Sequence, residues 1–169
     1  VLTSPNLPTY DSVCVYPGMV LLEGTNISEG RGTGLPFQLI GAPYLRNSKK
    51  FVSILNSYIN TKESGIHIRP AEFMPTSGKW ANQNCYGVQL HVVDSTKIKS
   101  YALGLAVIKA CMEIAPNEFK WKQPPYEYEY EKLAIELLIG STKSCNKIAT
   151  LDIEDEYWKN GINEFISNS

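Results

Sequence analysis

The chain has 169 residues, of which 43% are hydrophobic and 20% are charged, and its formal net charge is -1. This length suits a single domain with one core, and the charge gives no electrostatic reason to expect nucleic acid or an anionic membrane as a partner. No apolar stretch has the length of a membrane span.

The first part of the chain is predicted to be a linker followed by two strands. Residues Val1–Ser12 contain prolines and few periodic apolar positions, which is typical of a connection between domains, and we place the end of this linker at residue 15. The uninterrupted apolar run within Gly18–Glu23 predicts a strand that is buried on both faces. A second strand is predicted at Phe37–Gly41.

The middle of the chain predicts a helix and then a pair of strands. A helical stripe starts after Asn47 and ends before the Ser64-Gly65 pair. Strands near Ile66–Phe73 and Gly87–Val93 are expected to form a hairpin with a long loop. The helical stripe after Asn47 consists of Phe51, Ile54, Leu55, Tyr58 and Ile59.

Three further helices are predicted in the last part of the chain. The clearest is a stripe that Pro116 stops, and two others are predicted near Glu131–Leu138 and Glu154–Ile166. The resulting order is not a regular alternation of strands and helices, so it predicts an α+β fold, with a small mixed sheet covered by helices in a single domain over residues 16–169. The stripe that Pro116 stops consists of Tyr101, Leu105, Ile108, Met112 and Ala115.

The segment Tyr16–Thr33, with the sequence YPGMVLLEGTNISEGRGT, has the pattern of a functional site. Its apolar run leads into Glu23, and a glycine-rich turn that contains Glu29 and Arg31 follows. Glycines let a backbone approach a ligand closely, but the segment also fits an ion pair between Glu23 and Arg31 in a simple turn. The glycine spacing matches neither a dinucleotide-binding motif nor a phosphate-binding loop, and the chain contains no nucleophile elbow of a serine hydrolase.

Several segments of the chain together resemble the exo-β-N-acetylmuramidase family of the NamZ type, and specifically its C-terminal domain. Two positions depart from the pattern expected in that family: Gln38 replaces an acidic residue, and Tyr44 stands where a tryptophan or phenylalanine is usual. Neither lies in the acidic motif. The segments that carry the resemblance are SPNLPT (Ser4–Thr9), EGTNISEGRGT (Glu23–Thr33), PFQLIGAPY (Pro36–Tyr44), IRPAEFMPTSGKW (Ile68–Trp80), CYGVQLHV (Cys85–Val92), FKWKQPPYEYE (Phe119–Glu129) and IELLIGS (Ile135–Ser141).

The resemblance implies glycoside hydrolysis, which needs an acid and a second carboxylate on opposite sides of the scissile bond. Glu23 and Glu29 are the candidate catalytic residues in this chain. Either they converge across the turn, or they only position the sugar while the catalytic pair lies in an N-terminal Rossmann-like domain that this chain lacks. We favour the second interpretation, in which the motif forms one wall of an interdomain cleft.

The implied substrate is a non-reducing-end N-acetylmuramic acid, whose lactyl carboxylate is best bound by a guanidinium. Arg31 is the first choice for this contact and Arg69 the second, although Arg31 has the alternative of pairing with Glu23 or Glu29. Other candidate substrate-binding residues have alternatives too, because short polar side chains often stabilise turns and a histidine in an apolar strand is often a core residue. These candidates are Asn26, Ser28, Thr33, His91, Tyr126 and Glu127.

Tyrosines alternate with glutamates over residues 126–131, so an extended backbone would place the rings on one face and the acids on the other. Such a row of rings either stacks on sugar or forms one edge of the core. The four cysteines, Cys14, Cys85, Cys111 and Cys145, have no zinc-site spacing. They are predicted to be buried free thiols, and the alternative is that two of them form one disulfide.

The resemblance also implies partners and a location. A muramic-acid-containing glycan and the N-terminal Rossmann-like domain are the expected partners, the location is expected to be extracytoplasmic, and we expect neither a cofactor nor a metal. The isolated domain is expected to be inactive. The alternative is a non-catalytic carbohydrate-binding or structural accessory module, for which the acidic motif would be buried and internally satisfied.

Overall fold

The computed structural model describes residues 6–59 and 63–140, together with Ser4 and Ile148. The predicted helix near Glu154–Ile166 lies outside these residues. In chain order the elements are α1 (Tyr10–Met19), a 3-10 helix (Val20–Gly24), β1 (Leu39–Ala42), α2 (Ser48–Tyr58), β2 (Ile66–Phe73), β3 (Cys85–Val92), a short 3-10 helix (Ser95–Lys97), α3 (Ser100–Ile114) and α4 (Ala134–Ile139).

The three strands form one sheet in the order β1-β3-β2, and both neighbouring pairs are antiparallel. β2 and β3 are the hairpin with a long loop that the sequence predicts, with Ile66 opposite Val92 and Phe73 opposite Cys85. The α+β class is confirmed, and the strand pairs in the described residues are antiparallel rather than mixed.

The core lies between one face of the sheet and the helices. Ile66 and Ile68 in β2 and Val88 and Leu90 in β3 lie at every second position and are buried, as period-two patterning requires. Ile40 of β1 is buried in the same core. Helix α2 contributes Phe51 and Leu55 to the same core. Helix α3 is buried over most of its circumference, because every residue from 103 to 108 is buried.

The predicted strand at Gly18–Glu23 is wrong, because this segment is helical. Helix α1 begins at Tyr10, so residues 10–15, which we assigned to the linker, belong to it, and Thr9 Oγ1 caps it by accepting a hydrogen bond from the Ser12 N–H at 3.0 Å. An apolar run of this length does not distinguish a buried strand from a buried helical segment.

Helices α1 and α3 cross at two glycines. A Cβ atom on Gly18 would lie 1.7 Å from the Ser100 carbonyl oxygen, and one on Gly104 would lie 2.3 Å from the Gly18 carbonyl oxygen. The Ser100 hydroxyl completes the crossing, since it accepts from the Gly18 N–H at 2.8 Å and donates to the Val15 carbonyl at 2.7 Å. The close approach therefore depends on glycine at both positions.

Replacing Leu105 with alanine will destabilise the domain by about 2–5 kcal/mol, because the substitution removes buried methyl groups from α3 and leaves a cavity. Leu105 is 5% exposed. Chemical denaturation of the variant, compared with Leu137→Ala on the more exposed side of α4, measures this loss. A loss below about 1 kcal/mol would contradict the placement of Leu105 in the core.

Two features of the described residues concern a possible membrane span and the state of the cysteines. None of the helices in the described ranges combines the length and apolar character that crossing a membrane requires. Cys14, Cys85 and Cys111 are free thiols, with Cys14 half-buried and the other two buried. Burial raises the pKa of the Cys85 thiol to about 11. Cys145 lies outside the described residues.

Candidate functional site

The acidic motif is a loop that is anchored to the sheet at one end and to the 3-10 helix at the other. Glu23 lies in the 3-10 helix Val20–Gly24. Ser28 forms an isolated bridge with Gly41 of β1, with reciprocal backbone hydrogen bonds of 2.8 and 3.1 Å. Gly30 and Gly32 adopt φ angles of 76° and 80°, which side chains disfavour, so the chain can reverse tightly between Ser28 and β1.

Five side chains converge on this loop, and we call them the charged cluster: Glu23, Glu29, Arg31, Lys79 and Tyr126. Arg31 Nη2 donates to Glu23 Oε1 at 2.7 Å, and its Nε lies 3.4 Å from Glu29 Oε1. Lys79 Nζ donates to Glu29 Oε2 at 2.9 Å. The Tyr126 hydroxyl donates to Glu23 Oε2 at 2.9 Å. The cluster is therefore a continuous chain of contacts from Lys79 to Tyr126.

Lys79 is the end of the cluster opposite Tyr126. Besides Glu29, its ammonium group donates to the carbonyl oxygens of Leu22 and Ile27, at 2.7 and 3.0 Å. These three acceptors match the three protons of an ammonium group. Burial lowers the pKa of Lys79, and the neighbouring Glu29 carboxylate opposes that shift. Lys79 thus binds the two ends of the loop to each other.

Exposure increases along the cluster from Glu29 to Arg31. The side chain of Glu29 is 6% exposed, that of Glu23 20% and that of Arg31 35%. Burial, followed by the hydrogen bond to Glu23, raises the pKa of Tyr126 to about 12, so its hydroxyl keeps its proton and remains a donor. Glu29 is thus the buried member of the cluster, and the cluster reaches solvent at Arg31, at Glu23 and at Lys79, whose side chain is 23% exposed.

An aromatic pair supports the open end of the cluster. The Arg31 guanidinium carbon lies 4.9 Å from the centroid of the Phe37 ring, within the range of a cation–π contact. The Tyr16 ring meets Phe37 edge-on with centroids 5.0 Å apart. Phe37 has a φ of 65°, which is strained for an aromatic residue, and its N–H donates to the Glu29 carbonyl at 2.6 Å. Arg31 is thereby held in place by stacking as well as by ion pairing.

Asn26, Ser28 and Thr33 belong to the same loop but use their side chains within the protein. Asn26 Nδ2 donates to the Glu118 carbonyl at 2.8 Å, and its Oδ1 accepts from the Tyr44 hydroxyl at 2.8 Å. Ser28 Oγ accepts from the Gly30 N–H, and Thr33 Oγ1 donates to the Gly30 carbonyl. These bonds stabilise the turn, which is the common use of such residue types.

Arg69 and His91 lie on the sheet, where Arg69 has a hydrogen-bond partner and the buried Nε2 atom of His91 has none among the described residues. Arg69 is exposed, and its Nη2 donates to Gln89 Oε1 at 2.7 Å. His91 lies opposite His67, with ring centroids 6.2 Å apart. Burial and the neighbouring Arg69 and His67 lower the pKa of His91. The described contacts of these two residues do not include a member of the charged cluster.

The tyrosine-rich segment is a turn and not an extended strand, so the predicted row of rings is wrong. Tyr126 and Glu129 exchange backbone hydrogen bonds of 3.0 Å in both directions, and Glu127 has a φ of 51°. Tyr126 points inward to Glu23, whereas Glu127 and Tyr128 are exposed. Strict alternation of side chains holds only for an extended backbone, which this turn interrupts.

Lys79 is the cluster member that we did not assign to the site from the sequence. It lies in the loop between β2 and β3, and the only signal for it was its position in the segment IRPAEFMPTSGKW that carries the family resemblance. Its neighbour Trp80 supports the same loop, donating from Nε1 to the Asn26 carbonyl at 2.6 Å. Within the described ranges, no three His, Cys, Asp or Glu side chains are grouped as metal ligands.

The fold and the charged cluster define an α+β domain that presents carboxylates on a glycine-rich loop, and comparison with known families identifies it further. The chain belongs to the family described as "Exo-beta-N-acetylmuramidase NamZ, C-terminal", whose sequence model matches residues 14–169. The chain is also 43% identical over 121 residues to the "Peptidoglycan beta-N-acetylmuramidase NamZ" of Bacillus subtilis (strain 168). That match covers 72% of this chain but only 28% of the Bacillus protein.

Two solved structures share the fold. Both are DUF1343 family proteins from Bacteroides fragilis NCTC 9343, with TM-scores of 0.77 and 0.61 and sequence identities of 21% and 24%. The first comparison covers 99% of this chain and 43% of that protein, and the second covers 97% and 40%. The chain thus corresponds to less than half of each of these proteins.

Proposed function

We propose that this chain is the C-terminal part of a glycoside hydrolase that releases N-acetylmuramic acid from the non-reducing end of peptidoglycan fragments. It forms one wall of a cleft whose other wall is an N-terminal Rossmann-like domain, and it acts outside the cytoplasm. The observation that carries the proposal is that Glu23 and Arg31, which pair with each other, are 20% and 35% exposed, whereas Glu29 in the same loop is 6% exposed. Family membership and the name of the Bacillus relative support the class of reaction.

The burial of Glu29 argues that the chain supplies only part of the catalytic machinery. Two carboxylates must reach opposite sides of one glycosidic bond, but Glu29 is 6% exposed and bonded to Lys79. Glu23 is therefore the carboxylate of this loop that faces the substrate. The second catalytic carboxylate comes from the N-terminal domain.

Arg31 is the residue that binds the lactyl carboxylate of the substrate. Its guanidinium is planar and carries five N–H donors, and the contacts to Glu23 and Glu29 use the Nη2 and Nε groups. The half-exposed guanidinium keeps further donors for a bound anion. Stacking on Phe37 and pairing with two carboxylates orient these donors before the substrate arrives, which lowers the entropic cost of binding.

A structural accessory module is the second candidate, and the interior of the cluster favours it. Lys79 and Glu29 satisfy each other together with two backbone carbonyls, as expected of an ion-pair turn that only stabilises the loop. In that case the chemistry would lie entirely in the N-terminal domain.

The purified 169-residue chain will not release sugar from a chromogenic N-acetylmuramide, whereas the same chain joined to its N-terminal domain will. The physical reason is that one wall of the cleft cannot place an acid and a second carboxylate across one sugar. Steady-state assays of both proteins, with circular dichroism to verify that the isolated chain is folded, make the comparison. Turnover by the isolated chain would place the catalytic pair within it.

A further inference from the structure

The turn of residues 126–129 presents a tyrosine ring on an ordered backbone. Tyr126 and Glu129 close the turn with two backbone hydrogen bonds of 3.0 Å. The Glu129 carboxylate then accepts from the N–H of Glu131 at 2.8 Å, which fixes the chain that leaves the turn. The backbone of Tyr128, at the tip of this turn, is therefore held in place, and its side chain is 92% exposed.

The turn is also attached to the open end of the charged cluster. The Tyr126 hydroxyl donates to Glu23 at 2.9 Å, and the Lys122 ammonium lies 4.9 Å from the centroid of the Tyr126 ring. Two residues of extended chain span at most about 7 Å. Because Tyr128 is two residues from Tyr126, its backbone lies beside the proposed cleft.

The tip of the turn combines the two kinds of group that recognise a sugar. An aromatic face packs against the apolar C–H face of a pyranose, and a carboxylate accepts hydrogen bonds from its hydroxyl groups. Tyr128 supplies the ring and Glu127 the adjacent exposed carboxylate. Tyr130, which is also exposed, adds a second ring next to them.

We propose that Tyr128 and Glu127 bind the sugar on the leaving-group side of the scissile bond, the pyranose to which N-acetylmuramic acid is attached in the substrate. This inference rests on the proposed function. An exo-acting enzyme that removes one terminal sugar has a single sugar site on the non-reducing side, so an additional sugar-binding surface beside the cleft serves the remaining glycan. Tyr128 is then a specificity-determining residue that distinguishes a glycan from a simple glycoside.

The test compares two substrates with the full-length protein and its Tyr128→Ala variant. One substrate is a disaccharide of N-acetylmuramic acid linked to N-acetylglucosamine, and the other is the methyl glycoside of N-acetylmuramic acid, whose leaving group does not reach the turn. Loss of one aromatic contact is expected to lower kcat/KM for the disaccharide roughly three- to tenfold, mainly through KM. The value for the methyl glycoside should not change, and Tyr128→Trp should restore the disaccharide value.

The controls separate a sugar contact from a structural one. Tyr10→Ala removes another exposed tyrosine, in helix α1, and should leave both substrates unaffected. If the wild type releases sugar from neither substrate, the proposed function is wrong and this inference falls with it. If the wild type is active but Tyr128→Ala affects both substrates equally, or neither, only the leaving-group site is wrong. An equal fall with a lower melting temperature identifies Tyr128 as a contact with the N-terminal domain.

Discussion

Replacing Lys79 with methionine will destabilise the domain by roughly 2–5 kcal/mol, because the buried Glu29 loses its closest cationic partner and keeps only the longer contact with Arg31. The variant keeps the apolar stem of the side chain but deprives Glu29 and the carbonyls of Leu22 and Ile27 of their shared donor. Urea denaturation of the wild type and the variant measures the difference.

Three further variants, Lys120→Met, Glu29→Gln and the double variant Lys79→Met/Glu29→Gln, show whether this loss comes from the ion pair. Lys120→Met removes an exposed lysine from a neighbouring segment and should change the stability by less than about 0.5 kcal/mol. Adding Glu29→Gln to Lys79→Met removes the buried charge that has lost its lysine partner and should recover part of the loss. If the double variant is as unstable as the sum of the two single variants, Lys79 and Glu29 do not act as a pair.

Glu23→Gln in the full-length protein should lower kcat and kcat/KM together by about a hundredfold, within the range that a positioned acid–base group contributes. Glutamine keeps the shape of the side chain but removes its charge. Arg31→Lys should instead raise KM with little change in kcat, because lysine keeps the charge but loses the planar fork that binds a carboxylate in the ground and transition states alike. Initial-rate kinetics on the disaccharide distinguish the two patterns.

Melting temperatures of the same variants show whether the charged cluster has a structural role instead. If Glu23→Gln and Arg31→Lys both keep wild-type kinetics while their melting temperatures fall, the charged cluster is a structural ion-pair turn. The accessory-module function would then be the better description of the chain.

Helices and strands whose apolar residues recur at a regular spacing were predictable from the sequence. The helical segment before Glu23, which has no such spacing, was not. The stripe from Phe51 to Ile59 matches α2, and the alternation from Ile66 to Phe73 matches β2. The apolar run before Glu23 shows no regular spacing of apolar and polar residues, and the helix that leads into it is in contact with Ser100, far along the chain. Sequence patterns record local preference and do not record such distant contacts.

The site was predictable where its residues are close in sequence. Glu23, Glu29 and Arg31 converge as the motif suggests, and the ion pair between Glu23 and Arg31 is present. Lys79 approaches from the loop between two strands, and only the folded topology brings it there. The sequence predicts a role for the ring of Tyr126, but the hydroxyl is the group that contacts Glu23.

The charged cluster joins parts of the chain that are far apart, and this affects how the domain assembles. The contact between Tyr126 and Glu23 spans 103 residues, and that between Lys79 and Leu22 spans 57. Closing such loops costs chain entropy, which the contacts recover only when both ends are in place. We expect the cluster to form only when both ends of these loops are in place, and we expect a ligand bound to it to stabilise the whole domain and not only the loop.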